Sequence, residues 1–459
     1  MGKDKADALK AFLARLPGKI AAPLATAIEA DRLVNPAGLP HETILDGLRP
    51  VLRGAETRPH RLRTPLRVFC EPFEDLLVGD HEGAKVEGRI ARSSLRPVWR
   101  LVQDVAGKPF AARTASLTGA LLGRTEAELA EIVPLFQAEA AAALATALEA
   151  GSAPALADPD LCADAEEIRR LLAIAPLTLS LRTRFIRPVP TLEDADLDII
   201  RACYEDVGSV HPDAARYVPV IVLGRLARPW EILRVLAKLA RSQSDTLVSQ
   251  TDVGLVGELL LHDLERLAER IEAAEPASFD PETLGTAISQ FARLGHGLTT
   301  ELDIHRHGPW GERLAELRAR VGTRMERFLD QSVRDVTGLL AVRRPGNPRR
   351  RHERQADLGR PLDDARAGRA RAVVQLVTSC RGVAAQAAFN VAHATCVERI
   401  SESLDDYVPA ILEALKGADE ELLPIAQAYF GAAVELIGLL RGEAEADLLR
   451  RKGAIARAG

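Results

Sequence analysis

His296, Glu301, Asp303, His305 and His307 crowd into one short stretch between two predicted helices and carry the donors a divalent cation needs. Imidazole nitrogens and carboxylate oxygens on a loop can surround such an ion, and the His305-x-His307 pair offers two imidazoles from one turn. His296, Asp303, His305 and His307 are therefore the candidate metal ligands. A ligating histidine also needs a partner on its second ring nitrogen, and nothing in the local sequence supplies one, so solvated loop residues explain the same composition. His393 and Cys396 stand three apart on a predicted helix and could approach one another. Nucleophilic catalysis would also need an orienting group and oxyanion donors, and neither shows, so burial between helices is the expectation for both.

The His262-Asp263 dipeptide resembles the one that names the all-helical HD-type metal phosphohydrolases. That resemblance covers two residues and would imply a metal-dependent hydrolase. The dipeptide stands among Leu259, Leu260, Leu261 and Leu264 in an amphipathic segment, and the family's other ligands find no counterparts here, so a structural or surface His-Asp is expected. The chain has no Gly-x-Gly-x-x-Gly after a strand, no phosphate loop ending in Gly-Lys-Ser/Thr, no Gly-x-Ser-x-Gly elbow and no His-Glu-x-x-His.

Arginine is the more telling residue. The 60 basic residues comprise 51 Arg and 9 Lys, a bias that fits a bacterial source and supplies bidentate partners for carboxylates and phosphates. Arg92, Arg96 and Arg100 recur every four residues beside Trp99, so a helix would set them in one stripe. Arg58, Arg61, Arg63 and Arg67 precede them in a Pro-containing stretch. Together these suggest a basic patch with an aromatic anchor, suited to phosphate or to an acidic protein surface. The competing reading is local pairing with Glu71, Glu74 and Asp75. A second basic run, with Arg349, Arg350 and Arg351 at its centre, gives residues 343–354 a formal charge of +5. Residues 401–450 carry eleven acids against three bases, a formal -8, so docking of one on the other competes with nucleic-acid binding.

The elements that must hold these residues are helices. Aromatics make up only 4% of the chain while Ala and Leu abound, which favours close-packed helices over strands. Two helices are expected before residue 55, the first kinked or divided by Pro17 and Pro23. Residues 56–92 are the least helical stretch, with Pro59, Pro65 and Pro72 followed by Gly79, Gly83 and Gly88, and with an extended piece around Leu66–Phe69. Ser93 or Ser94 can cap the next helix, and Ala-rich helices follow at 125–150 and 363–401, the latter weakened at Gly382. Between them lie helices beginning near Pro229 and covering roughly 252–274 and 309–341. Each tryptophan follows a proline at a helix start (Pro97-Val98-Trp99, Pro229-Trp230, Pro309-Trp310), where an indole can staple the first turn to a neighbour.

These patterns predict an all-α, multi-helix irregular bundle or array. Its expected parts are an N-terminal region 1–155, a central domain 156–342, an exposed Arg-rich linker 343–361 and a C-terminal domain 362–459. The net charge of -5, five cysteines without a Cys-x-x-Cys pair, and the lack of a long apolar run or signal-peptide core point to a soluble, cytoplasmic protein. The functional expectation is a non-enzymatic scaffold, adaptor or regulatory protein that binds another protein and uses no cofactor. A homo-oligomer through the Ala-rich helices, a metal-dependent helical hydrolase and an Arg-segment nucleic-acid binder are the alternatives.

Overall fold

Apolar side chains three and four residues apart give most segments one face to bury, and nineteen α-helices with two short strand pairs result among the described residues. The structure is a computed structural model that describes residues 3–35, 38–54, 63–80, 83–123, 126–151, 153–343 and 355–458. It is all-α. Two compact units divide the chain, the first comprising 1–189 with 193–225 and the second 190–192 with 226–459.

Unit 1 opens with α1 (Lys3–Leu13), α2 (Gly18–Val34) and α3 (His41–Gly54), which share a small core of Leu13, Ala21, Ala25 and Leu48. The stretch expected to be extended at Leu66–Phe69 is instead α4 (Pro65–Cys70). The Thr64 hydroxyl accepts the Arg67 amide and Pro65 takes the first helical position, which outweighs the proline-rich surroundings. Two-residue strands follow, β1 (Leu77–Val78) and β2 (Ile90–Ala91), paired in parallel. Next come α5 (Leu95–Gly123), kinked at Gly107, and α6 (Glu126–Ala150), with α7 (Pro159–Ala173), α8 (Ala175–Arg184), α9 (Asp194–Val210) and α10 (Tyr217–Leu223) completing the unit. Phe69, Trp99, Phe110 and Phe136 fill the space between α4, α5 and α6, with the Phe110 and Phe136 rings stacked at 5.0 Å.

Unit 2 contains α11 (Ile232–Ala240), α12 (Asp245–Val248), α13 (Gly254–Glu272), α14 (Pro281–Glu301) and the long α15 (Pro309–Leu339). Leu314, Leu317, Val321, Met325, Phe328 and Val336 are all buried on the inner face of α15. Two tryptophans act as the staples their prolines suggest. The Trp310 indole lies over Gly257 of α13 and donates to Glu258 Oε1 at 2.7 Å, while Trp230 lies over Gly297 of α14. Arg313 and Arg320 of α15 then pair with Glu265 and Glu272 of α13, at 2.7 Å each, to close that seam.

After α15, strands β3 (Val342–Arg343) and β4 (Gln355–Ala356) pair antiparallel, and Arg343 meets Asp357 at 2.7 Å. The residues that flank the arginine-rich run, Arg343 and Gln355, are therefore paired with each other within unit 2. The helix expected over 363–401 is two helices, α16 (Asp364–Cys380) and α17 (Asn390–Gly417). Turns around Gly382 separate them, ending at Ala388 with φ +63°. The bundle closes with α18 (Leu423–Arg441) and α19 (Glu443–Ala458). The units also divide elsewhere than the Pro/Gly breaks suggest, because α6 packs on α7 across residue 155, and α15 packs on both α16 and α17. By length and composition α6 and α18 are apolar enough to cross a membrane. Here α6 packs between α5 and α7, and α18 against α16, α17 and α19.

The tryptophan seats give a direct test. A side chain added at Gly257 would overlap the Trp310 indole, so Gly257→Val should lower stability by about 1–3 kcal/mol. Gly368 of α16 has open space at its Cβ position, so Gly368→Ala should instead raise stability by roughly 0.5–1 kcal/mol. Chemical denaturation of the two variants beside wild type checks both signs.

Candidate functional site

A group of buried ionisable side chains in unit 1 surrounds α7. Asp158 caps this helix, accepting the Asp160 amide at 3.1 Å, and one turn of spacing sets Asp164 and Glu167 toward the loop between β1 and β2. Lys85 from that loop reaches both carboxylates, at 3.2 Å from Asp164 Oδ1 and 2.7 Å from Glu167 Oε1. Its ammonium also donates to the Val86 and Arg89 carbonyls. Glu167 takes the Gly88 amide at 3.0 Å, a contact that needs the positive φ of +83° at that glycine. Asp164, wholly buried, takes the Ala91 amide at 3.1 Å and the Ser94 hydroxyl at 2.6 Å. Ser94 thus spends its hydroxyl on Asp164 instead of capping α5. Next to this group, Glu87 accepts from the Tyr217 hydroxyl at 3.1 Å and pairs with Arg216. Burial outweighs the pull of Lys85 and pushes the Glu167 carboxyl up to about 7.

The arginine row begins where this network ends. Arg92 follows Ala91 directly, and its amide donates to the Gly79 carbonyl at 2.9 Å. Arg92, Arg96 and Arg100 are all exposed and take part in no hydrogen-bonded ion pair among the described residues. Trp99 does not stand out beside them as an anchor. Its indole turns inward, 5.2 Å from the Phe69 ring and 5.6 Å from Phe110. The upstream arginines divide. Arg63 forms a two-pronged pair with Glu71, each hydrogen bond 2.6 Å, and Arg67 lies 3.5 Å from Glu29. Arg58 and Arg61 lie outside the described residues, as do Arg349, Arg350 and Arg351.

The candidate metal ligands of unit 2 are not brought together. His296 sits within α14 instead of on a loop, exposed to solvent, and Asp303, His305 and His307 stand on the turn that follows. That turn is pinned by a residue sixty positions earlier. Asp245, wholly buried, takes both the His305 amide at 3.2 Å and the His305 ring Nδ1 at 2.9 Å on one carboxylate oxygen. Asp303 pairs its backbone with residues 243–245 in the same turn. Among the described residues no three His, Cys, Asp or Glu side chains group as metal ligands. His262 lies 3.9 Å from Glu265, one turn along the same helix. His393 is buried with its Nε2 2.7 Å from the Val377 carbonyl, and burial pushes the Cys396 thiol up to about 12. A thiol held that firmly to its proton is a poor nucleophile near neutral pH.

Glu167 carries a consequence for pH. Between the ordinary carboxylate value of 4.5 and about 7, the folded protein holds a proton that the unfolded chain has released. Stability from this group is therefore full below that window and falls as pH rises through it, by roughly 2–4 kcal/mol. Glu167→Gln, which keeps the neutral shape, should flatten that part of the slope when melting temperatures are compared between pH 5 and 8. An unchanged slope would remove Glu167 as the titrating group. Compared with known protein families, curated proteins and solved structures, the chain matches none of them.

Proposed function

We propose that this is a non-enzymatic helical interaction protein and that Arg92, Arg96 and Arg100 receive an acidic surface of a partner protein. The observation that supports the reading is the row itself: three exposed guanidinium groups at helical spacing, without ion-pair partners among the described residues. Its backbone foundation is fixed by Asp164 and by the aromatic cluster behind Trp99. Unpaired arginines are free to grip carboxylates through two hydrogen bonds at once.

The test uses the full chain with Arg92→Glu, Arg96→Glu and Arg100→Glu combined, a set of exposed changes that leaves the core untouched. Proteins retained by wild type and lost with the triple variant are identified by quantitative mass spectrometry, then the pair is rebuilt from purified components. Charge reversal should weaken the rebuilt complex at least about tenfold, with affinity falling as salt rises. A partner held equally by both forms would overturn the assignment of the row. A mobility shift with duplex and single-stranded DNA that also depends on the three arginines would move the reading to nucleic acid.

A further inference from the structure

A buried carboxylate holds one ring nitrogen of His305 and leaves the other to solvent. Asp245 of α12 has no access to water, and its Oδ1 takes the His305 amide at 3.2 Å and the ring Nδ1 at 2.9 Å. An ionised carboxylate can only accept, so Nδ1 carries the proton and Nε2 of the neutral ring carries the lone pair. The His305 side chain is 59% exposed, and its Nε2 has no hydrogen-bond partner among the described residues. Ring and backbone are tied to the same oxygen, which fixes an imidazole that would otherwise rotate. The turn around it is held as well. Asp303 donates its amide to the Gln243 carbonyl at 3.0 Å, and Gly308 donates to the His305 carbonyl at 2.8 Å. The result is a surface nucleophile whose tautomer and direction are set by a carboxylate behind it.

We infer that His305 is a phosphoryl acceptor, modified at Nε2 by a donor of the phosphoramidate class. The Nε2 lone pair attacks phosphorus, the donor's P–N bond breaks, and its electron pair leaves with the donor nitrogen. Nδ1 keeps its proton throughout, so the ring becomes an imidazolium whose charge lies against Asp245. One P–N bond replaces another, and nothing is oxidised or reduced. A metal ion on the same nitrogen would need further ligands, and among the described residues no three His, Cys, Asp or Glu side chains group to supply them. A phosphoryl group needs one nucleophile and a cation for its oxygens. Arg306, the next residue, is exposed and joins no ion pair among the described residues, so its guanidinium is free to take two phosphoryl oxygens. Asp303 shares the turn and is also exposed, where water screens its charge. The site lies in unit 2 and does not depend on the arginine row of unit 1.

Incubation of the full-length protein with potassium phosphoramidate tests it. The phosphohistidines formed are located by peptide mass spectrometry without acid, and the isomer is read by phosphorus NMR. His296 and His307, both exposed, serve as references within the same molecule. His305 should be phosphorylated at least about tenfold faster than either, and at Nε2. Asp245→Asn keeps the accepting oxygen and withdraws the charge that faces the imidazolium. It should slow His305 at least about tenfold while His296 and His307 react as before. If that variant fails to fold, the wild-type ratio and the isomer decide. Phosphorylation of His305 no faster than of His296 or His307, modification at Nδ1, or an undiminished rate in folded Asp245→Asn would each overturn the inference.

Discussion

One buried carboxylate sets the geometry on which the rest of unit 1 depends. Asp164 gathers the Ala91 amide, the Ser94 hydroxyl and the Lys85 ammonium around a side chain with no access to water. A charge in that position is tolerable only while those donors stay in place, since removing one partner of a buried pair costs about 3–5 kcal/mol. The loop between the two strands is therefore held shut on α7, and α5 must begin where Ser94 leaves it. The arginine row inherits its position from that start. Its exposed charges are cheap to keep, and what makes them usable is the backbone beneath them.

Unit 2 solves a similar problem with different parts. Asp245 is as deeply buried as Asp164 and ties the His305 turn to α12, so that α15 can start at Pro309 with Trp310 seated on Gly257. The histidines that look like ligands in sequence thereby become parts of a turn. One of them, His305, is held by a carboxylate oxygen, and His296 is carried away on α14. The α15 helix, fixed at its start, runs on to pack against both α16 and α17.

The helices were legible because their apolar spacing repeats over many turns, and α15 follows that spacing along its whole inner face. Local capping was harder to read: Thr64 and Pro65 make α4 a helix inside a stretch whose prolines argue for extended chain. The sites that organise the fold were not legible at all. Asp164 and Glu167 look like ordinary polar-face residues of an amphipathic helix, and their partner Lys85 is 79 and 82 positions away. The same holds for Asp245 and His305, whose pairing rests on the turn that brings them together. The arginine row was visible from its spacing, yet the direction of Trp99 was not, because periodicity places a residue on a helix without saying which neighbour claims its ring. Gly382 was legible as a weak point, but the full division of the pattern into α16 and α17 was not.

Amide hydrogen exchange in Asp164→Asn tests most directly whether this carboxylate anchors the arginine row. The substitution keeps the shape and withdraws the charge that holds Ala91 and Ser94. Exchange should quicken from Gly88 through Arg100 while α13 and α15 keep their wild-type protection. Unchanged protection across Ala91–Arg100 would contradict the account, because the row would then stand without the anchor on which its geometry is argued to rest.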